Sequence, residues 1–158
     1  KYEPQNPTAH IELARFWKDK GILESAVKEA KLAIQYEKNL ENSMGHYNEL
    51  GLIYHKFRLL PDAEESFLKA KDINPGNTAV MYNLASVYTE KEDYTKVRQT
   101  YETLLKINPR EYTAMEKLGY AWIKLQDKTK AREVLENLLK EKPDYPNRAE
   151  IQKTLSAL

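Results

Sequence analysis

The sequence repeats itself every 34 residues. Ile73-Asn74-Pro75-Gly76-Asn77 is echoed by Ile107-Asn108-Pro109-Arg110-Glu111. The same offset carries Leu50 to Leu84 and Leu118, Tyr54 to Tyr88 and Trp122, and Pro75 to Pro109 and Pro143. Three units follow directly, at 44–77, 78–111 and 112–145. An earlier one at 7–40 joins them after a three-residue insertion, Glu41-Asn42-Ser43, with Leu13, Ala14, Trp17, Ala26 and Ala33 setting its frame. Periods of roughly 20 to 50 residues belong to architectures in which each repeat buries its apolar face against the next.

Within one repeat the residue sizes describe a helical hairpin. Position 8 holds Ala14, Gly51, Ala85 and Gly119, which removes the side chain where two helices cross. Position 20 holds Ala26, Ala63, Val97 and Ala131 on the partner helix. Bulky residues at positions 4, 7, 11 and 24 fill the space around the crossing, so Trp122 at position 11 is expected to be buried. Pro75, Pro109 and Pro143 at position 32 cannot continue a helix and end each repeat, although Lys38 stands there in the first. Pro61 and Asp62 suit a first helical turn, where a missing N–H is harmless and an acid meets the dipole. The spacing predicts first helices at 7–20, 44–57, 78–91 and 112–125, and second helices at 24–38, 61–73, 94–107 and 128–140.

The ends carry their own signals. Ile151, Leu155 and Leu158 recur at helical spacing, which predicts a capping helix over 147–158 that covers the last repeat. Tyr2-Glu3-Pro4-Gln5-Asn6 has two readings. Pro4 is position 32 of an earlier repeat, or Asn6 and Pro7 simply start a helix as N-cap and first residue.

Repeat by repeat, this pattern resembles the tetratricopeptide repeat. The second repeat matches that family's preferences throughout, with Tyr47, Leu50, Gly51, Tyr54, Ala63, Phe67, Ala70 and Pro75. The third reads Met81, Leu84, Ala85, Tyr88, Val97, Tyr101, Leu104 and Pro109; the fourth reads Met115, Leu118, Gly119, Trp122, Ala131, Leu135, Leu138 and Pro143. The first reads His10, Leu13, Ala14, Trp17, Ala26, Ala30 and Ala33. The resemblance implies an all-α fold, a right-handed α-solenoid of stacked helix–turn–helix repeats, here one array over 1–158 with about nine helices and no strand. It also implies that positions 2, 5, 6, 9, 12 and 13 of each first helix line a concave groove.

That face is mostly polar but carries Ile11, Leu52, Tyr82, Tyr120 and Ile123. With Arg15, Asn48, Asn83, Ser86 and Lys117 they form the candidate binding residues: aromatic and aliphatic anchors, amides for a peptide backbone, and cations. Glu49 and Glu116 are expected on the same face, where they limit any preference for strongly acidic ligands. The apolar residues at positions 3, 10 and 14, Phe16 among them, are expected to contact neighbouring repeats. Some family members clamp the C-terminal carboxylate of heat-shock chaperones, but Asn48, Leu52, Asn83, Thr113 and Lys117 match that clamp poorly, so this ligand is not expected.

Composition narrows the chemistry. Lys and Arg (25) nearly cancel Asp and Glu (24), which argues against a nucleic-acid or polybasic membrane surface. No apolar run approaches the roughly 20 residues that span a bilayer. The 158 residues contain no cysteine, which excludes disulfides and thiolate metal sites. With Lys1 in place of Met, the sequence is expected to be a cut or processed piece from which any targeting segment has been lost. His10, His46 and His55 have no metal-ligand spacing, and no phosphate-cradling glycine motif is present. No catalytic residue, metal or cofactor is expected. The sequence points to a non-enzymatic adaptor that holds a peptide or helical segment of a protein partner. The alternative is a scaffold that self-assembles through its end or face surfaces.

Overall fold

Asn6 starts the first helix. Its side chain accepts hydrogen bonds from the Thr8 and Ala9 backbone N–H groups at 2.9 and 3.2 Å, and Pro7 follows at the first helical position. The computed structural model describes residues 5–158, so the reading of Pro4 as the end of an earlier repeat lies outside the described residues. Among the described residues the chain is all α-helix: α1 Pro7–Asp19, α2 Leu23–Tyr36, α3 Leu40–Lys56, α4 Leu60–Ile73, α5 Thr78–Glu90, α6 Tyr94–Ile107, α7 Tyr112–Lys124, α8 Lys128–Glu141 and α9 Arg148–Ala157. This is the all-α helical-repeat class read from the sequence, and the helix limits fall within a few residues of those the spacing predicts. The helices form two compact units, one ending at Val87 and the other beginning at Tyr88.

In the N-terminal unit α1 packs on α2, α2 on α3 and α3 on α4. The size pattern explains how. A Cβ on Gly51 would lie 2.5 Å from the Phe67 ring, so the missing side chain at position 8 is the space that the position-24 phenyl fills. The first repeat solves the same crossing with two small residues, Ala14 and Ala30, both fully buried. In the C-terminal unit α6 packs on α7, α7 on α8 and α8 on α9. There a Cβ on Gly119 would lie 2.5 Å from Leu135. Ile151 of α9 is fully buried with Met115, Leu135 and Leu138, as a capping helix requires.

Three details depart from the sequence reading. Glu41-Asn42-Ser43, left outside the helix predicted at 44–57, is itself helical: Asn39 caps α3 through the Glu41 N–H, and the insertion lengthens the helix by about a turn. Trp122 is only partly buried, and its ring faces two cations, with Lys130 Nζ 4.3 Å and the Arg98 guanidinium 5.1 Å from its centre. Leu13 and Phe16 are 37% and 49% exposed, whereas the equivalent Leu50 and Ile53 are buried. Among the described residues no helix precedes α1 to cover them.

A shared turn joins the two helices of every repeat. Gly21, Arg58, Glu92 and Gln126 all stand at position 15, and all have positive φ, from 56 to 75°. At each, the N–H of the next residue returns to the carbonyl five residues back (Ile22 to Trp17, Leu59 to Tyr54, Asp93 to Tyr88, Asp127 to Trp122), which is the Schellman closure. Only the first repeat uses glycine, the residue that takes this conformation without strain. Gly21→Ala is therefore expected to lose about 1 kcal/mol, and Gln126→Gly to gain about 0.5 kcal/mol. No atom lies within 4 Å of a Cβ on Gly21, so its loss comes from the backbone alone. Urea unfolding of the two variants checks both signs.

Candidate functional site

On the N-terminal unit the expected groove residues fall into a paired network. Glu49 is 5% exposed and is held by two cations: Arg15 Nε donates to Oε2 at 2.9 Å and Lys18 Nζ to Oε1 at 2.6 Å. A buried carboxylate must be compensated in this way. Arg15 also donates to Glu12 at 2.8 Å, and the Glu49 hydrogen bond raises its pKa above the ordinary guanidinium value. Arg15 is thus not a free cation for a ligand, and Glu49 is not an acid on the surface. Asn48 and Asn83 come together, with Asn83 Nδ2 donating to Asn48 Oδ1 at 2.8 Å. Leu52 and Tyr82 are half-buried beside them in sequence register, and Ser86 is exposed.

Ile11 was expected on this surface and is instead buried, at 5% exposure. α3 packs against α1, and its Glu41, Asn42, Met44 and Gly45 border the same hollow as Ile11. Glu12, Glu37 and Glu41 border that hollow too, so it is acid-rich.

The C-terminal unit presents a different surface. Tyr120 and Lys117 of α7 border a hollow of ≈ 260 Å³ shared with α6 and the end of α5. Its buried floor is Val97, Tyr101 and Ala121. Half-buried Tyr94 and Tyr120 wall it, and exposed Lys117 and Lys124 stand at the rim. Burial pushes the Tyr101 hydroxyl up to about 12, so it stays neutral. Tyr94 and Tyr101 come from the second helix of their repeat, which the sequence reading treated only as core. An apolar run at positions 17, 20 and 24 was the available signal.

Two further residues on α7 behave unlike the expectation. Ile123 packs against the cluster of Met115, Leu135, Leu138 and Ile151, so it belongs to the capped core more than to an open strip. Glu116 is 4% exposed and accepts from Tyr145 Oη and Asn147 Nδ2, each at 2.9 Å. It clasps the segment between α8 and α9 rather than facing a ligand. Burial, then this hydrogen bond, raises the Tyr145 pKa. Among the described residues no helix is long and apolar enough to cross a membrane, and no group of three acidic or histidine side chains is placed to hold a metal.

Residues 80–146 match the tetratricopeptide repeat family model. No curated protein sequence matches the chain. Among solved structures, a tetratricopeptide repeat protein from Parabacteroides merdae superposes with a TM-score of 0.84 at 27% identity over 94% of this chain. The match spans 58% of that longer chain. MamA superposes at 0.76 with 20% identity, over 89% of this chain and 81% of its own. YrrB, described as a TPR protein with an unusual peptide-binding site, superposes at 0.73 with 15% identity, over 94% of this chain and 75% of its own. The match assigns residues 80–146 to the tetratricopeptide repeat family, and the described chain as a whole has the all-α helical-repeat fold of these solved proteins.

Proposed function

We propose that this chain is an interaction module that holds an extended or helical segment of a protein partner on the groove-facing side of its first helices. Tetratricopeptide-repeat folds in general mediate protein–protein contact. The observation that carries the reading here is the Tyr94–Tyr120 hollow, an apolar floor between aromatic walls with polar groups at its edge. Aromatic side chains bury large areas at small entropic cost and dominate such sites. Asn48, Leu52, Tyr82, Asn83 and Ser86 form the corresponding surface of the N-terminal unit. The amides of Asn48 and Asn83 already pair with each other, so a peptide backbone exchanges one hydrogen bond for another.

Selection of binders from a random peptide library tests this. Against a selected peptide, Tyr82→Ala with Tyr120→Ala is expected to cost about 2 kcal/mol or more. Thermal unfolding should change little, since both rings are only partly buried. Peptides that bind the double variant equally well would remove the groove from consideration.

A second reading, self-assembly, rests on the exposed Leu13, Phe16 and Ile22 at the start of the N-terminal unit. Light scattering over a dilution series separates it from the first. A dimer that survives dilution and is lost in Phe16→Glu would favour the scaffold.

A further inference from the structure

Where the N-terminal unit pairs two groove-side cations with a buried acid, the C-terminal unit leaves two uncompensated. Arg15 and Lys18 are both spent on Glu49. Among the described residues Lys117 and Lys124 make no ion pair; Lys124 Nζ lies 5.8 Å from the centre of the Tyr94 ring. No carboxylate borders the hollow between them. Glu116, the acid next to Lys117 in sequence, is committed to Tyr145 and Asn147. The hollow therefore combines an apolar floor with a rim of one sign.

From this we infer that the Tyr94–Tyr120 hollow takes an apolar side chain of an acidic peptide, with a carboxylate from that peptide on each of Lys117 and Lys124. This rests on the proposed peptide-holding role and adds the class of peptide. Spacing constrains it further. Seven residues of α7 separate the two lysines, about 10 Å along the axis. That distance is about three residues of extended chain. The favoured ligand has two acidic residues three or four apart with a leucine-sized or aromatic residue between them. The balanced charge of the whole chain hides this preference, because it is a property of one unit's surface.

Three blocked peptides test the inference, acetylated and amidated so that no terminal charge competes. The first carries one leucine between two glutamates spaced three apart. The second replaces both glutamates by glutamine, and the third replaces the leucine by alanine. Titration is followed by tyrosine and lysine side-chain chemical shifts. The first peptide is expected to bind about tenfold more tightly than the second, and this ratio should shrink as salt rises. Lys117→Gln with Lys124→Gln should abolish the ratio. Lys117→Glu with Lys124→Glu should shift preference to a peptide with lysines in place of the glutamates.

Equal affinity for the acidic and amide peptides, both lost in Tyr120→Ala, would overturn the acidic preference and leave the peptide-holding role standing. Binding of the acidic peptide that Tyr120→Ala does not weaken would overturn the use of this hollow. No binding of any peptide at about 1 mM, a limit of roughly −4 kcal/mol, would overturn both.

Discussion

Phe67→Ala is expected to destabilise the N-terminal unit by about 3–5 kcal/mol, the range for removing a buried aromatic ring. Phe67 is fully buried, and its ring occupies the space opened by the glycine at position 51. The reverse change at that contact is also costly. Gly51→Ala places a methyl carbon 2.5 Å from Cε1 of a fully buried ring. Overpacking of this kind costs about 1–3 kcal/mol. The two losses should not add. Once the ring is gone, the methyl group enters vacant space, so the double variant should be no less stable than Phe67→Ala alone and recover part of the cavity. The first repeat already carries Ala14 with Ala30 at these positions, so the combination has a working precedent in the same chain. Urea unfolding of the four proteins gives the coupling energy directly. Additive losses would mean that positions 8 and 24 do not read each other's size.

Ile151→Asp is expected to release α9. Ile151 is fully buried, and a carboxylate placed there has no cation to pair with among Met115, Leu135 and Leu138. Burying an unpaired charge is too costly, so the helix should leave its site before accepting it. Ten residues do not sustain a helix alone in water, so a detached α9 should unwind. Its departure uncovers Leu135, Leu138 and Val134, and an exposed patch of that kind drives association. Hydrogen exchange should show free exchange over 148–157 with the α1–α4 amides unchanged, and light scattering should rise with concentration. Protected α9 amides in the variant would show that another contact, such as the Glu116 clasp on Tyr145 and Asn147, carries the docking instead.

Much of the fold was legible because its signals are local and repeated. Gly and Ala at position 8, Ala at 20 and proline at 32 act within one hairpin, so their spacing alone predicts the helices and their crossing. The binding surface was harder to read. Helical geometry placed Glu49 and Glu116 on the expected face, but their burial depends on partners 29 to 34 residues away, Arg15 and Lys18 in one case and Tyr145 and Asn147 in the other. Such pairings have no periodic trace. Ile11 was misplaced for a related reason: its burial depends on how α1 packs against α3, which begins at Leu40 and not at the predicted 44. Tyr94 and Tyr101 were overlooked because the groove was read from first helices only, while the hollow is shared with α6.

The turn at position 15 has a consequence for how quickly the chain acquires its structure. It closes through backbone bonds spanning three and five residues, such as Arg58 to His55 and Leu59 to Tyr54, and asks nothing of any other repeat. Each hairpin can therefore assemble before its neighbours exist, and the loop-closure entropy is met a few residues at a time. Chains dominated by such short-range contacts fold in about microseconds to milliseconds. Refolding should accordingly be fast in every segment. The slowest step should be the docking of completed hairpins on one another, where side chains such as Phe67 and Ile151 find their places.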